Sequence, residues 1–364
     1  MKRMLPFIAG LLLLVLVFVA LFPSPKPDIH FEVAATMETA PVPSDGDAAD
    51  DPAVWYNAQV PAQSVIIGTD KDSGLAVYDL TGHELQFVPD GEMNNVDLRD
   101  GFPLNGEGIA LVTAGNQSDS TMAIYRLHAA TRRLENVAAR KIKTCPPYGS
   151  CMYRSPVSGK FYYFVNSRLG EMEQWELYDD GAGKVEATKV RDFDIGQRPE
   201  GCVADDELAF FYLGVEERGI RKYGAEPGEG EHFIRIDSTR ADGHVRRQVE
   251  GLAIYYGRAR TGYLLASSQG NNAFVIYRRE GRNDYVATFN VVAGNGIDEV
   301  THTDGIDVAG NNFGADYPLG FFVAQDDTND AANQNFKIVP WHAIQNALLA
   351  QMKEQGGGER VARK

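Results

Sequence analysis

The feature that most constrains this chain is a recurrence near fifty residues. Residues 249–272, VEGLAIYYGRARTGYLLASSQGNN, open with an acidic residue and a glycine on a short apolar strand, turn into a second strand, and end in a polar tip before a third, AFVIYRRE. Asp304 opens a similar unit (TDGIDV, then GFFVAQDD), and Glu200 an earlier one (PEGCVADD, then FFYLGVEER). The three acids stand 50 and 54 positions apart. Short strands repeating at that period are the pattern of a propeller, because one such unit cannot bury both of its faces alone and must stack on its neighbours.

The period extends along the chain in two independent series. Inner-strand openers at Asp51, Asp97, Tyr148, Glu200, Glu250 and Asp304 are separated by 46, 51, 52, 50 and 54 residues. Tips after the second strand, at Lys71, Gln117, Arg168, Glu216, Gln269 and Asp326, are separated by 46, 51, 48, 53 and 57. The two series predict an all-β fold, a six-bladed β-propeller with four-stranded antiparallel blades over residues 30–348. One closed ring replaces the two domains that 364 residues would otherwise suggest. HFEVAAT, residues 30–36, alternates like a strand and is expected to complete the last blade, so that the ring has no open edge. WHAIQNALLAQMKE, residues 341–354, reads as an amphipathic helix capping that blade. Residues 349–364 read as a polar tail, and the final GGGERVARK has no pattern.

Lys2 and Arg3 precede an apolar run over residues 4–22, and the breakers of PSPKP follow. Residues 1–24 are therefore expected to be an export signal, cleaved or kept as a membrane anchor, placing the chain in the periplasm or outside the cell. Of three cysteines, Cys145 and Cys151 flank the turn of CPPYGSC and are expected to bridge, with Cys202 buried in the strand GCVADD.

A net charge of −15 excludes nucleic acid as a partner, since that binding needs clustered Lys and Arg. It also calls for bound cations wherever carboxylates gather. Two carboxylates about 4 Å apart at an effective dielectric near 20 repel by roughly 4 kcal/mol. Equivalent positions of a ring converge, so Asp50, Asp51, Glu200, Glu250 and Asp304 are expected to meet although about 250 positions separate them. Oxygen donors without a His or Cys cluster suit Ca²⁺. Lys71 and Arg168 at blade tips, with Arg154 nearby in sequence, add the cations that a phosphate ligand requires. Singly, an acid before Gly is a turn residue bonding its own backbone, and Lys71 or Arg168 is a solvated surface charge. Only the shared register sets them apart.

Together DAADDPAVW, KDSGLAVYDLTG, NNVDLR, EGCVADDE, VEGLAIYY, GYLLASSQGNN, TDGIDV, GFFVAQD and NQNFKIVPW resemble the β-propeller phytases, extracellular calcium-dependent enzymes that hydrolyse inositol phosphates. The resemblance runs over residues 30–348. It implies several calcium ions in the central mouth held by Asp50, Glu200, Glu216, Glu250, Gln269 and Asp304, with Asp326, the blade-six tip, added to the metal set. It also implies a more structural ion at Asp51 and the Pro52 and Val96 carbonyls. Lys71, Arg168 and Tyr148 match positions used near substrate phosphates, and Arg154 or Arg198 could rebuild part of that clamp. Phytate, or its calcium complex, is the implied substrate of a monomeric enzyme in which a metal-activated water attacks phosphorus directly. The chain departs from the pattern at Gln117, where relatives carry Arg, and at Gln248, where they carry Asp. Those departures keep open a calcium propeller that binds inositol phosphate without turnover. A lactonase-like hydrolase is the other alternative, but the basic tips favour phosphate.

Overall fold

Val, Ile, Phe and Tyr dominate the runs between Gly- and Asp-rich turns, residue types that fit a pleated, buried surface. In the computed structural model, which describes residues 28–330 and 332–361, those runs form six sheets whose antiparallel strands are laid down in chain order from the centre outward, apart from the two N-terminal strands added at the outer edges of blades five and six. The inner strands are Ala49–Trp55, Met93–Leu104, Gly149–Arg154, Pro199–Asp205, Val249–Tyr256 and Ile306–Ala309. Each touches the next, and the last touches the first, so the ring is closed. The second strands, such as Val65–Asp70 and Phe161–Asn166, are buried along their whole length. Blades pack on both of their faces, which is why these strands read as continuous apolar runs instead of alternating ones.

The core is correspondingly divided into layers between blades. Ile67 and Val77 of blade one pack with Val112 and Tyr125 of blade two, and Phe164 of blade three packs with Phe211 of blade four, ring centroids 4.2 Å apart. The layer between blades six and one holds Phe336, Ile66 and Tyr78, which closes the circle by the same apolar burial as every other joint.

Closure differs in detail from the sequence expectation. His30–Ala34 pairs in parallel with Tyr285–Val292 and adds a fifth strand to blade five. The strand that completes blade six is Met37–Glu38, antiparallel to Asn335–Pro340. The expected strand therefore lies on blade five, held there by Phe31 stacking on Phe289 at 5.5 Å, and the residues just past it complete blade six. The C-terminal helix Trp341–Val361 also runs past residue 354, where it was expected to end, into the final stretch that carried no pattern. Trp341, Ile344 and Leu348 anchor it in the layer between blades five and six, with Trp341 stacked on Tyr255 at 4.0 Å. Once its first turns are fixed by packing, further turns need only propagation. No helix among the described residues is long and apolar enough to cross a membrane, and the expected export segment lies outside them.

The cysteine pairing is corrected as well. Cys151 bridges Cys202, and Cys145 is a free, buried thiol. The partners are 51 residues apart with Cα atoms 5.8 Å apart, one blade repeat between adjacent inner strands. The repeat brings equivalent positions together, whereas the short CPPYGSC loop holds its two cysteines on different layers. Closing a loop of that length stabilises by about 4 kcal/mol in the chain-entropy account. Cys202→Ser is therefore expected to lower Tm by about 6 °C in a domain of this size, measured by calorimetry, with no change for Cys145→Ser. An unchanged Tm for Cys202→Ser would show that the cross-link adds nothing to packing.

Candidate metal and phosphate site

The acid–glycine pairs that announced the repeat also build the site. Pairing shifts register at the opening of four inner strands, between Ala49 and Pro52, Asn94 and Val96, Pro199 and Cys202, and Val249 and Leu252. A bulge there re-aims the side chain of the extra residue. The glycine that follows is dictated by the neighbouring blade. A Cβ on Gly251 would lie 2.7 Å from the Asp304 carbonyl oxygen, and one on Gly201 would collide with that of Glu250. Gly251 N–H donates to the Asp304 carbonyl (2.7 Å) and Gly305 N–H to that of Asp50 (2.9 Å), tying successive openers into a ring.

Three of the resulting carboxylates, Glu200, Glu216 and Glu250, bring an oxygen each within 4.8 Å of one another, and all three are buried. Asp50, also buried, and Asp304 continue the ring. Asp50 Oδ2 and Glu250 Oε2 are buried without a hydrogen-bond partner. Buried polar oxygens are rarely left so, and an unpaired carboxylate oxygen asks for a cation. The donor set is oxygen alone, which fits a hard divalent ion. Burial is the first cause that raises the acids, with mutual repulsion adding to it. Glu200 stands well above the usual carboxylate range through burial and the charge of Glu250, and Asp304 does so through burial and the charge of Asp50. Burial, against a hydrogen bond from Glu200, pushes Glu250 up to about 7.

Cations stand at the rim. Lys71 Nζ lies 2.9 Å from Asp304 Oδ2 and 2.7 Å from Asp47. Burial alone would lower its ammonium, but Asp50 and Asp304 outweigh that and hold the proton on. Gln269 Nε2 donates to Asp304 Oδ1 at 2.5 Å. The Tyr148 hydroxyl donates to Glu200 Oε2 at 2.8 Å, with Glu216 Oε1 3.2 Å away, and accepts from Arg198 Nη2 at 2.5 Å. Burial, then Glu200 and Glu216, raise its pKa, so it remains a donor. Arg168 and Arg198 lie over the Tyr148 ring, 4.5 and 4.9 Å from its centroid. Two guanidinium groups and one ammonium thus border a ring of acids.

Asp51 faces the other way, accepting Val96 N–H at 3.1 Å. It lines, with Pro52 and Val96, a central cavity of about 530 Å³. Arg99 lines the same cavity, paired with Asp97 (2.8 Å) and Asp206 (2.7 Å). The blade-two opener expected at Asp97 therefore belongs to that cavity. The residue beside Tyr148 in the ring is Asn94, whose Oδ1 accepts from Gln117 Nε2 at 3.0 Å and whose amide donates to the Tyr148 carbonyl.

Two expected site residues lie apart. Arg154 ends the inner strand Gly149–Arg154, beyond which Tyr148 marks the other end. Six residues at about 3.3 Å each separate them by roughly 20 Å. Its guanidinium covers Phe161 instead. Asp326 is the last residue of its strand and pairs with buried Lys337 at 2.7 Å. The turn position equivalent to Gln269 is Asp327, whose N–H reaches the Thr301 carbonyl as that of Gln269 reaches Gln248. A one-residue offset in a strand puts the side chain on the opposite face.

Arg198, expected only as a substitute in the phosphate clamp, bonds Glu216 (Nε to Oε1, 2.5 Å) as well as Tyr148. A signal was present. Glu216 N–H bonds the Arg198 carbonyl, as Gln269 N–H bonds that of Gln248, so in blades four and five the residue two before the opening Glu faces the tip of its own blade.

A family model described as Phytase matches residues 3–356. The chain is 45% identical to the 3-phytase of Bacillus subtilis (strain 168) over 329 residues, 88% of this chain and 86% of the relative. Among solved structures, the alpha-L-arabinofuranosidase Arb93A from Fusarium graminearum in complex with an iminosugar inhibitor aligns with a TM-score of 0.55 at 10% identity, over 85% of this chain and 98% of that one. At that identity the likeness is one of fold alone.

Proposed function

The chain belongs to the β-propeller phytase family, and on that premise we propose that its acidic ring holds calcium and that the mouth hydrolyses phosphomonoesters of phytate, releasing inorganic phosphate and lower inositol phosphates. The observation that carries the reading is the meeting of a buried acidic ring with Lys71, Arg168 and Arg198 at one rim. Asp50, Glu200, Glu216, Glu250, Gln269 and Asp304 would hold the ions, and the two partnerless carboxylate oxygens support that role. When bound, calcium supplies Lewis acidity, offsetting charge on the phosphoryl oxygens and making water acidic enough to attack near neutral pH.

The chain's own residues do the remaining work. An acidic protein repels a polyphosphate, so the rim cations guide and orient it. Lys71, held between Asp47 and Asp304, keeps its proton and offers a fixed positive charge to an equatorial oxygen. Arg168 and Arg198 are preorganised by stacking on Tyr148, so less freedom is lost when they meet a phosphate. The Tyr148 hydroxyl, protonated throughout the working range, holds Glu200 in place. The Cys151–Cys202 bridge supports residence in an oxidising compartment outside the cytosol.

The test is inorganic phosphate release from phytate in calcium, against a panel of lactones and a phosphodiester. Release from phytate alone is expected. A folded, calcium-loaded protein that releases none would sink the reading.

A further inference from the structure

We propose that the Cys151–Cys202 bridge is a redox-operated clasp that positions the groups of the mouth, so that its reduction weakens calcium binding by the acidic ring. This inference rests on the reading of that ring as a calcium site and adds a control that lies outside it. The mouth is divided at one joint. Blade three supplies Tyr148 and Arg168, and blade four supplies Arg198, Glu200 and Glu216. The contacts that hold the two halves together cross that joint: the Tyr148 hydroxyl to Glu200 at 2.8 Å and Glu216 at 3.2 Å, and Arg198 to that hydroxyl at 2.5 Å and over its ring at 4.9 Å.

Inner strands of different blades share no sheet, so each joint needs its own ties. Between blades two and three Asp97 accepts Met152 N–H at 2.8 Å, and between blades six and one Asp307 accepts Val54 N–H at 2.7 Å. The comparable bond between blades three and four, from Arg154 N–H to Asp206 at 3.1 Å, lies at the strand end away from Tyr148. Nearer the mouth the Asn166 amide reaches the Glu200 carbonyl at 2.8 Å, and the bridge supplies the covalent tie. The backbones are close there, since a Cβ on Gly149 would collide with the Glu200 carbonyl oxygen. Two residues separate Cys202 from Glu200 and three separate Cys151 from Tyr148, spans of at most about 7 and 11 Å. A shift at the sulfurs is therefore delivered to the hydroxyl and carboxylate that meet across the joint.

Both cysteines line the central cavity of about 530 Å³, which is the route of a small dithiol to the bridge. A thiolate of the reductant attacks one sulfur and forms a mixed disulfide, and its second thiol then displaces the protein sulfur and closes a disulfide on the reductant. The bridge gains two electrons and two protons, and the dithiol loses them. Cys145 is buried in the layer between blades two and three, apart from this exchange. Opening the clasp leaves every carboxylate of the ring in place but frees one half of the mouth to move against the other. Partners that orient metal ligands without touching the ion typically account for about 10–100-fold in affinity.

The experiment measures calcium binding by calorimetry for the oxidised protein, the protein reduced with dithiothreitol, and the C151S/C202S variant, with thiols counted and melting curves recorded in chelator. The expected result is a calcium dissociation constant raised about tenfold on reduction and equally in the variant, with phosphate release from phytate restored at saturating calcium. C145S should leave the constant alone. A bridge that only supports the fold would lower Tm and leave the calcium constant unmoved, and that result overturns the proposal. So does a bridge that stays closed under the reductant in the folded protein, or a protein that unfolds when it is reduced. If the oxidised protein binds no calcium, the mouth reading fails separately. Amide hydrogen exchange over residues 148–154 and 198–205 then decides, with faster exchange on reduction supporting the clasp and unchanged exchange overturning it.

Discussion

Glu200→Gln is expected to lower phosphate release from phytate by roughly 10²–10³-fold, the loss typical of removing one preorganised charge from a catalytic site, while the metal-free protein keeps its fold. Glu200 sits in the ring with Glu216 and Glu250, buried and close enough that the three repel. A neutral amide relieves that repulsion in the absence of metal and still accepts from the Tyr148 hydroxyl. The chelated variant should therefore melt no lower than the chelated parent. Addition of calcium should raise the Tm of the parent, by about 4 °C for each ion present at a hundredfold excess over its Kd, and raise that of the variant less. The two measurements separate the roles. A variant that keeps full turnover but melts lower even when chelated would make Glu200 a structural residue, and the proposed metal role would fall.

The second large effect is that of metal removal, and it depends on pH with a definite sign. Glu250 titrates at about 7 in the folded chain against an ordinary value of 4.5, and Glu200 and Asp304 are raised as well, burial being the first cause in each. In the window between those values the folded protein binds more protons than the unfolded chain. Stability then falls as pH rises, because the slope follows the protons bound by the unfolded state minus those bound by the folded one. The chelated protein should accordingly be more stable near pH 5 than near pH 8. Calcium competes with the same protons, so its stabilising increment should grow from pH 5 to pH 8. Activity should vanish with chelator at every pH and return on adding calcium back. Melting curves at four pH values, with chelator and with calcium, read both trends. A calcium increment that stays flat across the window would mean that the raised carboxylates are not its ligands.

Arg198 and the Cys151–Cys202 bridge show where sequence reasoning stopped short. Both depend on which residue of one blade faces which residue of the next, and a repeat whose spacing drifts between 46 and 57 residues cannot resolve a single position. In a strand a single position inverts the side chain. Asp326 and Asp327 differ by one residue, yet one is clamped on Lys337 inside the blade and the other occupies the tip. Arg154 failed for a related reason, since nearness in sequence along an extended strand is distance in space.

The sequence by itself determined the closed ring, its six blades, the acid–glycine openers and the clustering of Lys71, Arg168 and the acids, because these follow from periodicity, and equivalent units in a closed ring must converge. It also carried the family resemblance in motifs whose order survives without any coordinates. Only the tertiary structure decided which opener faces the mouth and which the central cavity, as Asp50 and Asp51 do, which cysteine finds Cys151, and that Arg198 joins the rim. Adjacent inner strands meet through side-chain packing and a few backbone bonds at the openers, so their relative register is set by the whole ring closing at once.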